Sequence, residues 1–364
     1  MGKKRSFLLY PPALVYGLVT AFRNYLYDSG FLTSREFSIP VICTGNITVG
    51  GTGKTPHVEY LIELLGKEYR LAVLSRGYKR KSTGFRIVSP GSNASESGDE
   101  PLQISRKFPG IIVAVDGDRV NGISNLVRKY PGLDLIIMDD GFQHRRMKPG
   151  FSILLSDYGR PMYEDQMLPY GNLRESIKNI RRSDIVVITK SPKDISREET
   201  QKITRRLNEV HKKKVYFTSL SYNHPVKLFG SIPEKNSFAG ETGPEKAGAV
   251  IITGIASPES FIRFAENMFP ETIHLDFPDH HIYTWKDIRK IDRARNSLKS
   301  HRRLVITTEK DSVRLRELPD IPDHIRESLY YIPVRVCFPA GGKDEFDKII
   351  LDYAGENKRD HGIS

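Results

Sequence analysis

Short apolar runs that alternate with helix-length segments are the feature that most constrains the fold of this chain. Near-continuous Val, Ile and Leu are typical of parallel strands that are buried on both faces. Their alternation with helices predicts an α/β fold, with a mostly parallel sheet covered by helices on both sides. Ligands bind such sheets at the carboxyl ends of the strands, so function is expected in the loops that follow the runs. The runs are 40-PVICTG-45, 70-RLAVLS-75, 111-IIVAVD-116, 133-LDLIIMDD-140, 151-FSILLS-156 and 184-DIVVIT-189.

The stretch 44-TGNITVGGTGKTPH-57 follows the first of these runs and precedes a helix-like segment. A phosphate-binding P-loop reads G-x-x-x-x-G-K-[ST], and here only its first glycine is missing, with Thr48 in its place. Lys54 supplies a positive charge for the β- and γ-phosphates, and Thr55 supplies a hydroxyl for Mg²⁺. An ordinary glycine turn is the alternative, but the strand–loop–helix context favours a P-loop NTPase-like fold that binds ATP. The expected nucleotide-binding residues are Thr48, Val49, Gly50, Gly51, Thr52, Gly53, Lys54 and Thr55.

The run 135-LIIMDD-140 supplies the acids that a P-loop requires at the end of a buried strand. Two adjacent buried carboxylates are costly unless they are paired or bind a cation, although an acid after a strand can also cap a helix. We therefore expect Thr55, Asp139 and Asp140 to hold Mg²⁺, with Glu100 as a further candidate ligand. The division of roles between Asp139 and Asp140 stays open.

Three other polar clusters are candidates for chemistry. In 96-ESGDEP-101, Asp99 is either a helix cap or a general base near the γ-phosphate. The segment 141-GFQHRR-146 directly follows the magnesium acids. The segment 277-FPDHHIY-283 places an acid beside His280 and His281, which are structural, catalytic or metal-binding residues. Which of the two histidines faces the site is not decided by the sequence.

A change of texture near residue 215 predicts a second, smaller α/β domain. Residues 215–230 read as extended chain and 233–247 are polar with Pro and Gly, which indicates a boundary. A second strand–helix series follows, and the strand at 329–338 is expected to return to a β-strand hinge. The expected division is an N-terminal helix at 1–28, a P-loop domain at 29–214, a hinge at 215–232, the smaller domain at 233–328, and a return strand with C-terminal helix and tail at 329–364.

Charge and cysteine content restrict the partners and the compartment. The formal net charge is +12, which favours nucleic acid, phosphorylated metabolites or an anionic membrane as partners, although a generally basic solvated surface explains it equally well. Cys43 and Cys337 are far apart and form no metal-binding or disulfide pattern, so a reducing compartment is expected.

The N-terminal segment is unusually apolar. Residues 6–22 carry no charge and follow Lys3-Lys4-Arg5, but no signal-peptide cleavage site follows. A bilayer-spanning helix needs about 20 apolar residues, and Pro11-Pro12 break this stretch near its start. A helix from about Pro12 to Tyr27 that lies in the membrane interface fits these properties. A helix packed on the domain is the alternative.

Eight motifs together resemble the tetraacyldisaccharide 4'-kinases of lipid A biosynthesis, from the N-terminal helix to about residue 338. They are GNITVGGTGKTP, SRGYKRK (75–81), GDEP, DDGFQHRR, GNLRES (171–176), TGIASPESF (253–261), FPDHHIY and TTEKDSVRL (307–315). The family loop also lacks the first glycine of the P-loop. The resemblance implies ATP- and Mg²⁺-dependent phosphorylation of the 4'-hydroxyl of a tetraacyl glucosamine disaccharide 1-phosphate. It also implies a peripheral position on the cytoplasmic face of the inner membrane of Gram-negative bacteria.

The resemblance also implies roles for single residues. Asp99 is the expected catalytic base, assisted by His280, with Lys54 at the phosphates. The segment before the LRE residues is usually rich in Pro, Ala and Gly in the family but reads LPYGNLRES here, so local contacts differ. The implied substrate contacts are Tyr78, Arg119, His144, Arg174 and Glu175.

Two other function classes are less compatible with the sequence. A P-loop GTPase or metallochaperone would carry a T/N-K-x-D motif, and 309-EKD-311 imitates it without the intervening residue. A nucleic-acid-binding ATPase is suggested only by the positive charge. We expect a glycolipid substrate, a membrane surface as partner, no nucleic acid, and a monomer.

Overall fold

The computed structural model of the protein describes residues 6–230 and 246–359. The chain forms two compact units, and each contains segments that are distant in sequence. This division differs from the expected one because Ser92–Gln103 belongs with the second unit. The expected boundary run at 233–247 and the expected domain start at 233 lie largely or wholly outside the described residues. The first unit comprises Met1–Gly91, Ile104–Leu220 and Val336–Ser364, and the second comprises Ser92–Gln103 and Ser221–Arg335.

The first unit is built on an eight-stranded sheet, as far as the described residues show, with the order β3-β4-β2-β5-β1-β6-β7-β8. All neighbouring strands are parallel except β3, which is antiparallel to β4 at the edge. The sheet confirms the predicted α/β class. The strands are β1 (Val41–Gly45), β2 (Leu71–Ser75), β3 (Arg86–Val88), β4 (Ile112–Val115), β5 (Leu135–Asp139), β6 (Phe151–Asp157), β7 (Ile185–Thr189) and β8 (Lys214–Phe217).

Helices pack on this sheet and enclose two apolar clusters. One cluster contains Ile123 and Leu126 on the helix after β4, and the other contains Ile203 and Leu207 on the helix after β7. Their side chains recur every three to four residues, which gives each helix one buried face. The helices are α1 (Tyr10–Asp28), α2 (Lys54–Leu65), α5 (Arg119–Lys129), α6 (Arg197–Asn208) and α11 (Lys343–Arg359), and α4 (Asp99–Lys107) continues into this unit from the second.

Residues 173–182, one of the helix-length segments between the apolar runs, contain only a short 3-10 helix at Ile177–Arg182. The backbone of the preceding residues pairs elsewhere: Leu173 forms an isolated bridge with Thr48, and Arg174 N donates to Ile47 O at 2.7 Å. These bonds compete with helix formation and tie the segment to the glycine-rich loop.

The second unit has a five-stranded sheet, in the described residues, with the order β10-β14-β13-β11-β12. Only β10 is antiparallel to its neighbour. The strands are β10 (Val226–Lys227), β11 (Ala247–Thr253), β12 (Glu271–Asp276), β13 (Arg302–Thr308) and β14 (Leu329–Ile332). The helices are α3 (Ala94–Ser97), α7 (Glu259–Met268), α8 (Trp285–Ser297), α9 (Glu309–Leu315) and α10 (Asp323–Ser328).

Two further strands accompany the chain where it passes between the units. They are β9 (Ser219–Tyr222) and β15 (Val334–Cys337), which pair as a two-stranded sheet. The unit boundaries at 220/221 and 335/336 fall inside these strands. The single strand expected at 329–338 is therefore two strands, β14 and β15.

Candidate active site

The glycine-rich loop connects β1 to α2 and is fixed by bonds to its surroundings. Val49 N donates to Asn172 O at 2.8 Å, and Thr189 Oγ1 donates to Thr52 O at 3.0 Å. The backbone has φ values of +101° at Gly50 and +78° at Gly53, a region that L side chains rarely adopt. Thr48 is not among the positive-φ residues, so a β-branched side chain fits where the general motif has its first glycine.

His57 holds the start of α2 in the first unit. Its Nδ1 lies 2.8 Å from Gly53 O and its Nε2 lies 3.0 Å from Thr218 Oγ1. Because a carbonyl oxygen can only accept, Nδ1 carries the proton and Nε2 accepts from the threonine hydroxyl. Burial lowers the pKa of His57 to about 4, so the ring is neutral at pH 7. The loop's last glycine is thus bonded to a residue that the sequence did not single out.

The two expected magnesium acids lie at the end of β5, next to β1. Asp139 is buried and accepts a hydrogen bond from Ser75 Oγ at 3.2 Å. Lys54 Nζ lies 3.5 Å from Asp140 Oδ1, and Arg174 Nη1 lies 3.6 Å from Asp140 Oδ2. Burial by itself raises the pKa of Asp140, but the two cations outweigh burial and the net shift is downward. Asp140 is therefore ionised beside the lysine of the loop.

Carboxylate and hydroxyl oxygens are the protein ligands that Mg²⁺ uses at phosphate sites, together with phosphate oxygens and water. Asp139 and Asp140 at the end of β5 fit this chemistry. No group of three or more His, Cys, Asp or Glu residues that could enclose a metal occurs within 6–230 and 246–359.

Arg119 lies beneath the turn that carries these acids. Its side chain is only 1% exposed, and it donates to Asp139 O at 3.3 Å and to the carbonyl of Asp116. The expected contact of Arg119 with the substrate stays a prediction. Nearby, burial and the charge of Arg119 lower the pKa of His144 to about 4, which keeps that imidazole neutral at pH 7.

The remaining expected substrate residues have different surroundings. Tyr78 is 55% exposed in the loop after β2. Arg174 is partly exposed and pairs with Asp140. Glu175 is buried, where it accepts a hydrogen bond from Asn24 Nδ2 at 3.2 Å and forms an ion pair with Arg182. Glu175 therefore links α1 to the 3-10 helix at Ile177–Arg182.

Helix α1 has two contrasting faces. Its buried face contains Ala13 and Asn24, and Tyr16 Oη donates to Arg174 O at 3.2 Å. The other face exposes large apolar side chains at intervals of one, three and four residues, which forms a stripe along one side of a helix. Within the described residues, no helix is both long and apolar enough to span a bilayer. The exposed apolar residues of α1 are Tyr10, Leu14, Val15, Leu18, Val19, Phe22 and Tyr25.

The second unit brings together two expected catalytic residues. Asp99 is the first residue of α4, and its Oδ2 lies 2.7 Å from His280 Nδ1. His280 follows β12 and has a φ of +62°. His281 instead lies 3.0 Å from Asp287 Oδ2 and stacks on Phe277. His280 thus contacts Asp99 and His281 contacts Asp287, while the question of which histidine faces a bound substrate stays open.

Two cations of α9 complete this group, and sequence reasoning missed both. Arg314 Nη2 lies 2.5 Å from Asp99 Oδ2, and Lys310 Nζ lies 2.9 Å from Glu100 Oε1 and 3.2 Å from His280 Nε2. We call Asp99, Glu100, His280, Lys310 and Arg314 the Asp99 cluster. Glu100 is thus ion-paired in this structure. The available signal was the spacing of Lys310 and Arg314, which puts two cations on one helix face.

Burial by itself raises the pKa of Asp99, but hydrogen bonds from His280 and Arg314 outweigh it, so the pKa lies well below its ordinary value. Asp99 is therefore a carboxylate at neutral pH. It can accept a hydrogen bond from a hydroxyl group, which is what a general base for an alcohol must do.

Comparisons with known proteins agree over nearly the whole chain. The family model described as LpxK, tetraacyldisaccharide-1-P 4'-kinase, matches residues 5–354. The tetraacyldisaccharide 4'-kinase of Bacteroides thetaiotaomicron is 41% identical, covering 98% of this chain and 95% of the relative. That of Flavobacterium johnsoniae is 43% identical, covering 96% and 97%. A crystal structure of the apo form of LpxK from Aquifex aeolicus in complex with ATP is similar, with a TM-score of 0.71 and 28% identity over 94% of this chain and 98% of that one.

Proposed function

Because the chain belongs to the tetraacyldisaccharide-1-P 4'-kinase family, we propose that it transfers the γ-phosphoryl group of ATP to the 4'-hydroxyl of a tetraacyl glucosamine disaccharide 1-phosphate. The product is the 1,4'-bisphosphorylated lipid, an intermediate of lipid A synthesis. The observation that carries the proposal is the loop between β1 and α2, with Lys54 beside the ionised Asp140.

The nucleotide is held by the loop of the first unit. Backbone amides of 48–55 and the N-terminus of α2 face the phosphates, because a helix N-terminus carries partial positive charge. When ATP binds, the Lys54 ammonium turns from Asp140 towards the β- and γ-phosphates and contacts them. Mg²⁺ supplies charge neutralisation at these phosphates, and Thr55, Asp139 and Asp140 are the residues that would hold it. Glu100 is left out of this set because it pairs with Lys310.

The acceptor hydroxyl is activated by Asp99. As the sugar oxygen bonds to the γ-phosphorus, the bond from phosphorus to the β–γ bridging oxygen breaks, and ADP leaves. The hydroxyl proton passes to the Asp99 carboxylate. His280, which lies 2.7 Å from that carboxylate, orients it.

The remaining family residues divide by exposure. Tyr78 and Arg174 are accessible enough to touch the disaccharide or its phosphate. Arg119 and Glu175 are buried and His144 is partly buried, and we assign these three residues to the shape and charge of the wall behind these contacts. A buried guanidinium that bonds to the carbonyl of Asp139 sets the direction of the acidic turn.

The acyl chains explain the exposed face of α1. A lipid substrate stays in its membrane, so the enzyme works at the surface, and the apolar stripe of α1 enters the interfacial region. The net charge of +12 favours an anionic leaflet. We place this chain, as a monomer, on the cytoplasmic face of the bacterial inner membrane.

The test is incubation of the purified protein with γ-labelled ATP, Mg²⁺ and the tetraacyl disaccharide 1-phosphate. Label in the lipid at the 4'-position, located by mass spectrometry of the fragments, is the expected result. A parallel reaction with GTP and one without lipid separate transfer from hydrolysis. ATP consumption without labelled lipid, or a preference for GTP, would overturn the proposal.

A further inference from the structure

We propose that Lys310 and Arg314 of α9 are positioning residues: they fix which oxygen of Asp99 faces the acceptor hydroxyl and which nitrogen of His280 faces Asp99. The inference deepens the proposed function and rests on it. It concerns the second unit alone, because every member of the Asp99 cluster belongs to that unit.

Arg314 is itself firmly held. Its Nη1 lies 3.2 Å from His281 O and 3.4 Å from Asp311 Oδ1. Asp311 is fully buried, and its Oδ2 accepts hydrogen bonds from Gly254 N at 2.9 Å and Thr308 Oγ1 at 2.7 Å. Gly254 follows β11 and Thr308 ends β13, which are neighbouring strands. The guanidinium is thus anchored to the carboxyl end of the second sheet before it reaches Asp99.

Arg314 selects one oxygen of Asp99. Its Nη2 lies 2.5 Å from Oδ2, the same oxygen that His280 contacts. In the described residues both donors meet at Oδ2, which leaves Oδ1 as the oxygen that receives the sugar proton. A carboxylate held by two donors on one oxygen cannot rotate without losing both, so the acceptor oxygen stays in one direction.

Lys310 selects one tautomer of His280. Its Nζ lies 3.2 Å from Nε2. An ammonium group only donates hydrogen bonds, so Nε2 is the acceptor. Arg314 Nη2 lies 3.2 Å from Nδ1, but the Asp99 carboxylate, which only accepts, is closer at 2.7 Å, so the ring proton stays on Nδ1 and points at Asp99. The ammonium is fixed in turn by Glu100 at 2.9 Å and by Asp279 at 3.7 Å. These two carboxylates offset the cost of placing a cation beside the ring.

The kinetic test uses Lys310→Met, which keeps the chain length and removes the charge, and Arg314→Lys, which keeps the charge opposite Asp311 and loses the fork. Both variants are expected to lower kcat at least tenfold. This loss is a part of the rate acceleration of about 10²- to 10⁴-fold that a general base contributes. KM for ATP is expected to change less than about twofold, since the nucleotide loop is untouched. The matched controls are Lys286→Met and Arg289→Lys, which change two exposed residues near the start of α8. Unchanged kcat in both variants would overturn the proposal.

A spectroscopic readout separates positioning from mere structural support. Nitrogen-15 spectra of histidine-labelled protein, with the His280 signal assigned from His280→Gln, report which ring nitrogen carries the proton. The expected signal is the Nδ1–H form in the wild type and a loss of that form in Lys310→Met. An Nε2–H form in the wild type, or no change in the variant, contradicts the inference.

Loss of the proposed activity and loss of the positioning role give different experimental results. Absence of labelled lipid with the wild-type protein would reject the proposed function, whereas the tautomer is measured without any reaction. Lys310→Arg restores a cation near Nε2, so partial recovery of both kcat and the Nδ1–H signal is expected. Recovery of neither would show that Lys310 acts otherwise.

Discussion

At the scale of single residues, three buried charges near the two sites each have an opposite charge or a carbonyl beside them. Asp99 has Arg314, Glu175 has Arg182, and Arg119 has the carbonyl oxygens of the acidic turn. An unpaired buried charge would cost several kcal/mol, so these pairs are necessary for the residues to be charged at all. Sequence analysis singled out one member of each pair, because the motifs point to the residue with an expected functional role. The other member lies up to 215 residues away, as with Asp99 and Arg314, and no local pattern reveals it.

Asp99→Asn keeps the size of the side chain and its contact with Arg314, but removes the basic carboxylate. We expect kcat to fall by about 10²–10⁴ because a neutral amide cannot accept the sugar proton. Affinity for ATP, measured by equilibrium binding of a fluorescent analogue, is expected to stay within about twofold. A variant with full turnover would remove Asp99 from the role of base.

The lowered pKa of buried His57 is expected to make the stability of the fold depend on pH. Its pKa is about 4 in the folded chain, against an ordinary value of 6.5 for an exposed histidine, so between these values the unfolded chain binds more protons and stability rises with pH. The contribution of neutral His57 to the free energy of unfolding is about 3 kcal/mol at most. It is complete above pH 6.5 and is lost as the pH falls towards 4. Urea unfolding of the wild type and His57→Gln at several pH values measures it. Equal slopes against pH in both proteins would contradict this assignment.

At the scale of elements, the sequence locates strands better than irregular segments. The six apolar runs of the first unit all contain observed strands, because buried parallel strands need uninterrupted apolar residues. The edge strand β3 was missed, since Arg86 and Ile87 are not fully buried and give no such run. The helix-length segment 173–182 forms no α-helix, because the backbone of Arg174 bonds to the loop at Ile47 instead.

Helix α1 predicts membrane binding that depends on its exposed face. Replacing Val15, Leu18 and Phe22 together by Ser removes three side chains that are each more than 60% exposed. At about 2 kcal/mol for each apolar side chain transferred, vesicle partitioning is expected to fall more than a hundredfold. Flotation with neutral lipid vesicles measures this change. Val127→Ser and Val210→Ser, which alter exposed valines elsewhere, serve as controls, and equal flotation of all variants would favour a purely structural helix.

At the scale of the whole molecule, net charge affects binding to membranes, and ligand binding affects stability. The net charge of +12 adds a long-range attraction to anionic surfaces that the apolar stripe of α1 does not have. Composition alone predicts this charge, but it does not predict the two interleaved units. The segment Ser92–Gln103 joins the second unit only through contacts that form in three dimensions, such as the bond from Ala94 N to Glu317.

Salt separates these two contributions to membrane binding. Raising ionic strength from about 0.01 to 1 M shortens the screening length from about 30 to 3 Å, so binding to anionic vesicles is expected to weaken towards the level seen with neutral vesicles. Co-sedimentation at both lipid compositions provides the comparison. Binding to anionic vesicles that does not respond to salt would mean that the positive charge takes no part.

Mg²⁺ and ATP are expected to stabilise the protein against thermal unfolding. Binding to the folded state alone adds about 2.7 kcal/mol at a ligand concentration of 100 times Kd. Lys54→Ala removes the cation that faces Asp140 and the phosphates, so its melting temperature is expected to rise less on addition of MgATP. Differential scanning fluorimetry with and without EDTA measures both effects. An equal rise in the variant would show that Lys54 does not bind the nucleotide.

The position of α11 has a consequence for how the chain is made. This helix is the last described element, yet its Tyr353 hydroxyl lies 3.2 Å from the amide of Val41, in the strand that leads into the nucleotide loop. The Tyr60 hydroxyl of α2 also donates a hydrogen bond to Asp347 of α11. During synthesis from the N-terminus, β1 and α2 leave the ribosome some 300 residues before this support exists. The nucleotide loop is thus translated well before the helix that completes the packing around β1 and α2.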